Sequence, residues 1–227
     1  MATQDGPAPT FSNGLVFLCD PGNPESYNPT PTSVGVQYSN RLTGGPVSGS
    51  FVGDASWNST DKCWSCDGTG DWIEIQPFTT PGQALTVSTW AKCNNSTWND
   101  NGFIASKRSS FIMHPSNGST RVLFYVYTDA GTGNPQYTGA TINQWNNWVG
   151  TYDGASAKLY LNGELKNTVS LTGTVVPDAT GVMLIGGDDG YSRSINGQMG
   201  PVRIYDTALT ADQILEDYEA GRKRYPL

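Results

Sequence analysis

Polar and apolar residues alternate with a period of two along most of this chain, which is the period of β-strands. Between Leu85 and Cys93, Leu85, Val87, Thr89 and Ala91 share one face, and Thr86, Ser88, Trp90 and Lys92 share the other. Over 71–76, Trp72, Glu74 and Gln76 alternate with Ile73 and Ile75. The same pattern predicts strands at 14–19, 34–39, 49–53, 62–66, 103–107, 110–114, 121–128, 136–140, 147–152, 182–186 and 198–205. Asn162-Gly163 lies between Lys158–Leu161 and Glu164–Lys166, a strong short signal for a two-residue hairpin. Prolines at 21, 24, 29 and 31 make 20–31 an irregular crossing. A helical period occurs only at the end. Thr210 with Gln213 makes a capping box, Ile214, Leu215 and Tyr218 form an apolar stripe, and Gly221 is the expected residue after the last turn. With no second helix to receive it, the helix at 210–221 is expected to pack on the outer surface or edge of the sheets. Residues 1–13 match no strand and read as an N-terminal arm, and 14–227 read as one domain.

Composition sharpens this picture. Only 15% of the 227 residues are charged, and the chain holds 27 Gly and 14 Pro, which excludes a helical bundle or coiled coil. Seven Trp, eleven Tyr and seven Phe can anchor a core, and Trp90, Trp148, Tyr152 and Tyr160 are expected inside it. A net charge of −7 argues against nucleic acid as the main partner. The locally basic tail Arg222-Lys223-Arg224 reads as three solvated charges. No apolar run reaches the roughly 18 residues of a membrane span, so no membrane insertion is expected. Met1–Thr10 lacks a basic and then apolar stretch, so the expectation is synthesis in a cytoplasm without a signal peptide.

Cys63-x-x-Cys66 invites a zinc or redox reading. The paired spacing of zinc sites and a βαβ context are both missing, so Cys19, Cys63, Cys66 and Cys93 read first as small apolar residues in strands.

Several segments carry a resemblance. Trp148-Val-Gly-Thr-Tyr-Asp-Gly154, Leu159-Tyr-Leu-Asn-Gly-Glu164, Ile185-Gly-Gly187, Asn196-Gly-Gln-Met-Gly-Pro-Val-Arg-Ile-Tyr-Asp206 and Leu209-Thr-Ala-Asp-Gln-Ile214 resemble the laminin-G-like, concanavalin A-like domain. Cys66-Asp-Gly-Thr-Gly-Asp-Trp72 echoes another strand of that family, with Cys66 where an aromatic is common, and Trp90-Ala-Lys92 matches a third. The resemblance implies an all-β fold: a two-sheet jelly-roll sandwich with one short C-terminal helix. The opening, Gly14 to Tyr27, and the end, Ala211 to Tyr225, resemble laminin-G-like virion proteins of tailed bacteriophages. That implies a structural protein at the virion surface, above all a capsid decoration protein. Its partners would be other virion proteins, chiefly the major capsid protein through the arm, and a host-surface glycan. A tail-fibre or receptor-binding module is the alternative, and a secreted or cell-surface carbohydrate-binding protein a third reading.

The fold also hosts glycosidases, which need two paired carboxylates. The five Glu, at 25, 74, 164, 216 and 219, form no such pair, so no enzyme activity is expected. Glycan or partner binding falls on two polar loops: Trp98 with Asp100, and Tyr191 with Arg193. Trp98 is open to three readings: sugar platform, subunit contact or packing under its own loop. No cofactor is required. Calcium, common in this fold, has weak candidate ligands in Asp20, Asp188, Asp189 and Asp206, against the simpler reading of solvated turn carboxylates.

Overall fold

The structure, a computed structural model, describes residues 12–23 and 48–226. The arm before Ser12 and the strand expected at 34–39 lie outside the described residues. In chain order the strands are β1 (Leu15–Cys19), β2 (Gly49–Val52), β3 (Ser56–Asn58), β4 (Cys63–Asp67), β5 (Trp72–Ile75), β6 (Leu85–Cys93), β7 (Ala105–Lys107), β8 (Phe111–Pro115), β9 (Val122–Thr128), β10 (Gly131–Gly133), β11 (Gln136–Tyr137), β12 (Asn146–Tyr152), β13 (Ser156–Leu161), β14 (Glu164–Ser170), β15 (Met183–Ile185), β16 (Gly187–Asp188), β17 (Arg193–Ser194) and β18 (Asn196–Tyr205). A single helix, α1, spans Ala211–Gly221.

Two antiparallel sheets pack face to face. The first runs β14-β13-β12-β6-β18-β4-β3, with β1 also on β18; the second runs β10-β9-β8-β7-β15-β5-β2, with β11 also on β9. Alternation sorts the side chains. On β9, Val122, Phe124 and Val126 are buried in the core between the sheets, while Tyr125 and Tyr127 point outward and are half-buried. Asn162 and Gly163 both take positive φ, 53° and 83°, as the two-residue hairpin demands.

The outer face of the first sheet is covered too. Trp148 and Tyr152 enter the main core, but Trp90 and Tyr160 point outward, a correction to the expected single inward set. Helix α1 and the tail cover them in two small clusters. Trp90 packs with Trp145, Tyr218, Tyr225 and Cys63, and Tyr160 with Val149, Tyr205, Leu209 and Ile214. A buried ion pair also joins sheet to helix, Arg203 to Asp217 at 3.0 Å.

The capping box at Thr210 forms as expected. Three expectations at this end are corrected. Leu215 is 46% exposed, so only Ile214 and Tyr218 of the predicted stripe are buried. Gly221 is the last helical residue, and its small size serves close packing: a Cβ there would lie 2.7 Å from the Trp90 ring. The basic tail is not all solvated, because Arg224 is paired with Asp20 at 2.7 Å and Tyr225 is buried with its hydroxyl donating to the Lys62 carbonyl.

All four cysteines are buried and in strands, as expected of small apolar residues.

Candidate functional site

Three segments meet at one end of the sandwich: the loop 94–102, the turn 116–119 and the hairpin of β16 and β17. Asn99 joins the first to the third. Its Nδ2 donates to the Ser194 carbonyl at 3.0 Å, and its Oδ1 accepts from the Asn196 N–H at 2.7 Å. Asn101 Oδ1 accepts the Asn117 N–H at 2.8 Å, tying in the turn. Trp98 exchanges backbone bonds with Ser119 and Gly118, and its side chain is 1% exposed within the main core. This corrects the platform reading: Trp98 anchors its own loop from beneath. Asp100 is half-buried and accepts the Asn101 N–H at 2.7 Å. Among the described residues no hydrogen bond or ion pair joins Asp100 to the Tyr191 cluster.

The tip of the hairpin carries the exposed chemistry. Asp188 caps one turn of 3-10 helix, Asp189–Tyr191, by accepting the Gly190 N–H at 3.1 Å. Ser192 then takes a left-handed conformation and reverses the chain. Tyr191 is thereby held 65% exposed, the most exposed large apolar residue among those described. Arg193 stacks over its ring with Cζ 4.5 Å from the centroid, and Arg108 lies at 5.7 Å. Arg108 also covers Phe103 at 5.1 Å and is ion-paired with Asp188 and with Asp189. So the structure unites Tyr191 and Arg193 as the sequence suggested, and adds Arg108 and Phe103, which pattern alone did not single out.

This cluster continues onto the outer face of the second sheet. The His114 ring lies 5.5 Å from Phe103 and 5.8 Å from Tyr125, and Tyr125 stacks on Tyr127 at 6.2 Å. Burial pushes the His114 pKa below the usual imidazole value, and the Arg193 and Arg121 charges add to the shift. His114 is therefore neutral near pH 7. Ring contacts through Phe103 and His114 thus connect the Tyr191 cluster with Tyr125 and Tyr127 on the outer face of the second sheet.

The expected calcium ligands do not come together. Asp20 is held by Arg224 and accepts the Gly22 N–H, and Asp188 and Asp189 face Arg108. Asp206 is exposed and joins no acidic group among the described residues. One acidic group does form there, from residues not predicted: Asp54, Asp67 and Asp71. The signal was in Asp67-Gly-Thr-Gly-Asp71, whose tight turn returns the second carboxylate to the first; Asp54 is brought in by pairing alone.

Over residues 67–215 the sequence matches the family described as the concanavalin A-like lectin/glucanases superfamily, Laminin_G_3. The chain belongs to that superfamily. Solved lectin/glucanase-type structures that it resembles include three botulinum neurotoxin binding domains. They are the type C protein (TM-score 0.67, 13% identity), the serotype D binding domain (0.66, 15%) and the DC binding domain in complex with SialylT (0.66, 11%). In each case 91% of this chain is covered and 51% of the other, so the chain spans about half the length of these relatives. At such identity the likeness establishes the lectin-like fold. No curated protein sequence matches the chain.

Proposed function

We propose that this lectin/glucanase-type domain is a non-catalytic binding module that takes a glycan at the Tyr191 cluster, and that it works on the outer surface of a bacteriophage particle. The observation that carries the glycan reading is the exposed Tyr191 ring, with the guanidinium groups of Arg193 and Arg108 close to it. An aromatic surface with preoriented donors suits a sugar, whose ring offers both apolar C–H faces and hydroxyls. Fold relatives support the class: the botulinum type C structure is described as depending for cell entry on interaction with two ganglioside molecules. The non-catalytic reading is supported by the five Glu, which show no paired spacing in the sequence and none of which joins the close group Asp54, Asp67 and Asp71.

The particle reading rests on the opening and closing segments, which resemble phage virion proteins. In this reading the domain decorates the capsid, and the arm, residues 1–12, contacts the major capsid protein. Deleting them should abolish decoration of particles and leave the domain's melting temperature unchanged; full occupancy by the truncated protein would refute the anchor.

A glycan array probed with the intact chain tests the binding site. Tyr191→Ala and Arg193→Ala should each lower affinity for the best glycan about tenfold or more, the equivalent of roughly 1.4 kcal/mol. Unaltered binding by both variants would place the site elsewhere.

A further inference from the structure

The chain holds five Asn-Gly pairs, with the Asn at 13, 101, 117, 162 and 196. Such a pair is prone to lose the Asn amide, because Gly has no side chain to shield its backbone nitrogen. The Gly nitrogen, deprotonated by hydroxide, attacks the Asn Cγ. A new N–C bond closes a succinimide ring, and the side-chain nitrogen takes up a proton from water and leaves as ammonia. Water then opens either carbonyl of the ring, giving isoaspartate or aspartate. The reaction needs a side-chain amide that can turn and a backbone nitrogen that is not engaged. The fold withholds one or both at four of the five pairs.

Asn162 is held at both ends of its amide: Oδ1 accepts the Asn147 N–H at 2.8 Å, and Nδ2 donates to Asn146 Oδ1 at 3.1 Å. Asn196 Oδ1 accepts from Asn94 Nδ2 at 2.7 Å, and Gly197 lies within β18 between β4 and β6. Asn101 Oδ1 accepts the Asn117 N–H at 2.8 Å, and Gly102 is buried against Ser194 and Ile195. Asn117 is exposed, but the Gly118 N–H that would have to react donates to the Trp98 carbonyl at 2.8 Å.

Asn13-Gly14 differs from all four. The Leu15 N–H donates to the Ser12 carbonyl at 3.2 Å, which closes a turn with Asn13 and Gly14 at its corners. Gly14 takes a φ of 75°, as the third position of a type II turn requires, and the N–H between the corners has no part in the bond that closes such a turn. Asn13 is exposed. Among the described residues, neither its amide nor the Gly14 N–H has a hydrogen-bond partner. We propose that Asn13 is a modification site, at which the folded protein converts spontaneously to isoaspartate and aspartate at the joint between the arm and β1. The product places a new negative charge near Asp206, whose N–H donates to the Gly14 carbonyl at 2.8 Å. Asn13 shares no contact with the Tyr191 cluster, so this proposal and the glycan site hold or fail independently.

The test is peptide mapping by mass spectrometry after several days in mildly alkaline buffer. The full chain is incubated folded and, in parallel, unfolded in guanidinium chloride. In the folded protein the Asn13 peptide should gain about 1 Da and split into isoaspartyl and aspartyl forms. It should do so about ten times faster, or more, than any other Asn-Gly pair, because those react only through local opening. In the unfolded chain all five pairs should react at comparable rates. Asn13→Gln, which cannot close the five-membered ring, should melt like wild type and lose most of the acid formation of the folded protein. An intact Asn13 amide in the folded protein while the unfolded sample reacts would overturn the proposal. So would another Asn-Gly pair that reacts as fast in the folded state, or undiminished acid formation in the folded variant.

Discussion

Asp153 shows how a single turn residue can carry acid sensitivity. It follows β12, and partial burial by itself would raise its pKa. Hydrogen bonds from Lys158, from the Ala155 and Ser156 N–H groups and from the Ser156 hydroxyl outweigh this and hold it at about 2, against the ordinary 3.8. A folded pKa below the unfolded one contributes stability that is complete above about pH 3.8 and is lost as pH falls towards 2. Asp153→Asn should thus melt below wild type at pH 7, and the gap should close near pH 2. Parallel calorimetry of both proteins across that range checks it; a gap independent of pH would show that the acceptor geometry, and not the charge, matters. Lys107 is the opposite kind of residue. It is fully buried, donates to the Asp178 carbonyl at 2.9 Å and covers the Phe78 ring at 5.0 Å. Nothing in the strand pattern distinguishes this lysine from an exposed one, just as nothing local told that Trp98 points under its loop.

Helix α1 separates what periodicity reveals from what packing decides. The capping box and the stripe were plain in the sequence, but a stripe has two borders. Ile214 falls inside the contact with the first sheet, while Leu215 lies on its rim against Gly163. Ile214→Ala should cost roughly 2–5 kcal/mol. Leu215→Ala should cost about 1 kcal/mol or less. Equal losses in urea unfolding would mean that the helix sits one position further round. Strands with clean alternation, such as β6 and β9, were readable to within a residue or two. β3 and β10 were not, because Ser56-Trp-Asn58 and Gly131-Thr-Gly133 are too short and polar to show a period. The outward position of Trp90 was in the alternation itself; what could not be read there was that a helix and a tail would bury it.

At the scale of the molecule, the two sheets were foreseeable from strand number and turn chemistry, and the meeting of loop 94–102 with the β16–β17 hairpin was not. That meeting depends on Asn99, whose two bonds reach residues 194 and 196. Such long-range pairing sets the folding rate. β1 pairs with β18, Leu15 opposite Tyr205, and the strand order mixes early and late segments throughout. Contacts this distant in sequence are slow to form, and refolding from urea should take milliseconds to seconds or longer. Stopped-flow tryptophan fluorescence measures this; completion in microseconds would contradict the topology.

The clasp between the two ends of the described chain has a consequence for synthesis. Arg224 holds Asp20 beside β1, and Tyr225 seals Trp90 and Trp145 from solvent. The seal is made by the segments of this domain that are synthesised last, so it closes only after residues 218–225 have emerged. Until then the nascent chain exposes the outer face of its first sheet, and premature termination before Tyr218 should leave a product that aggregates instead of a shortened domain.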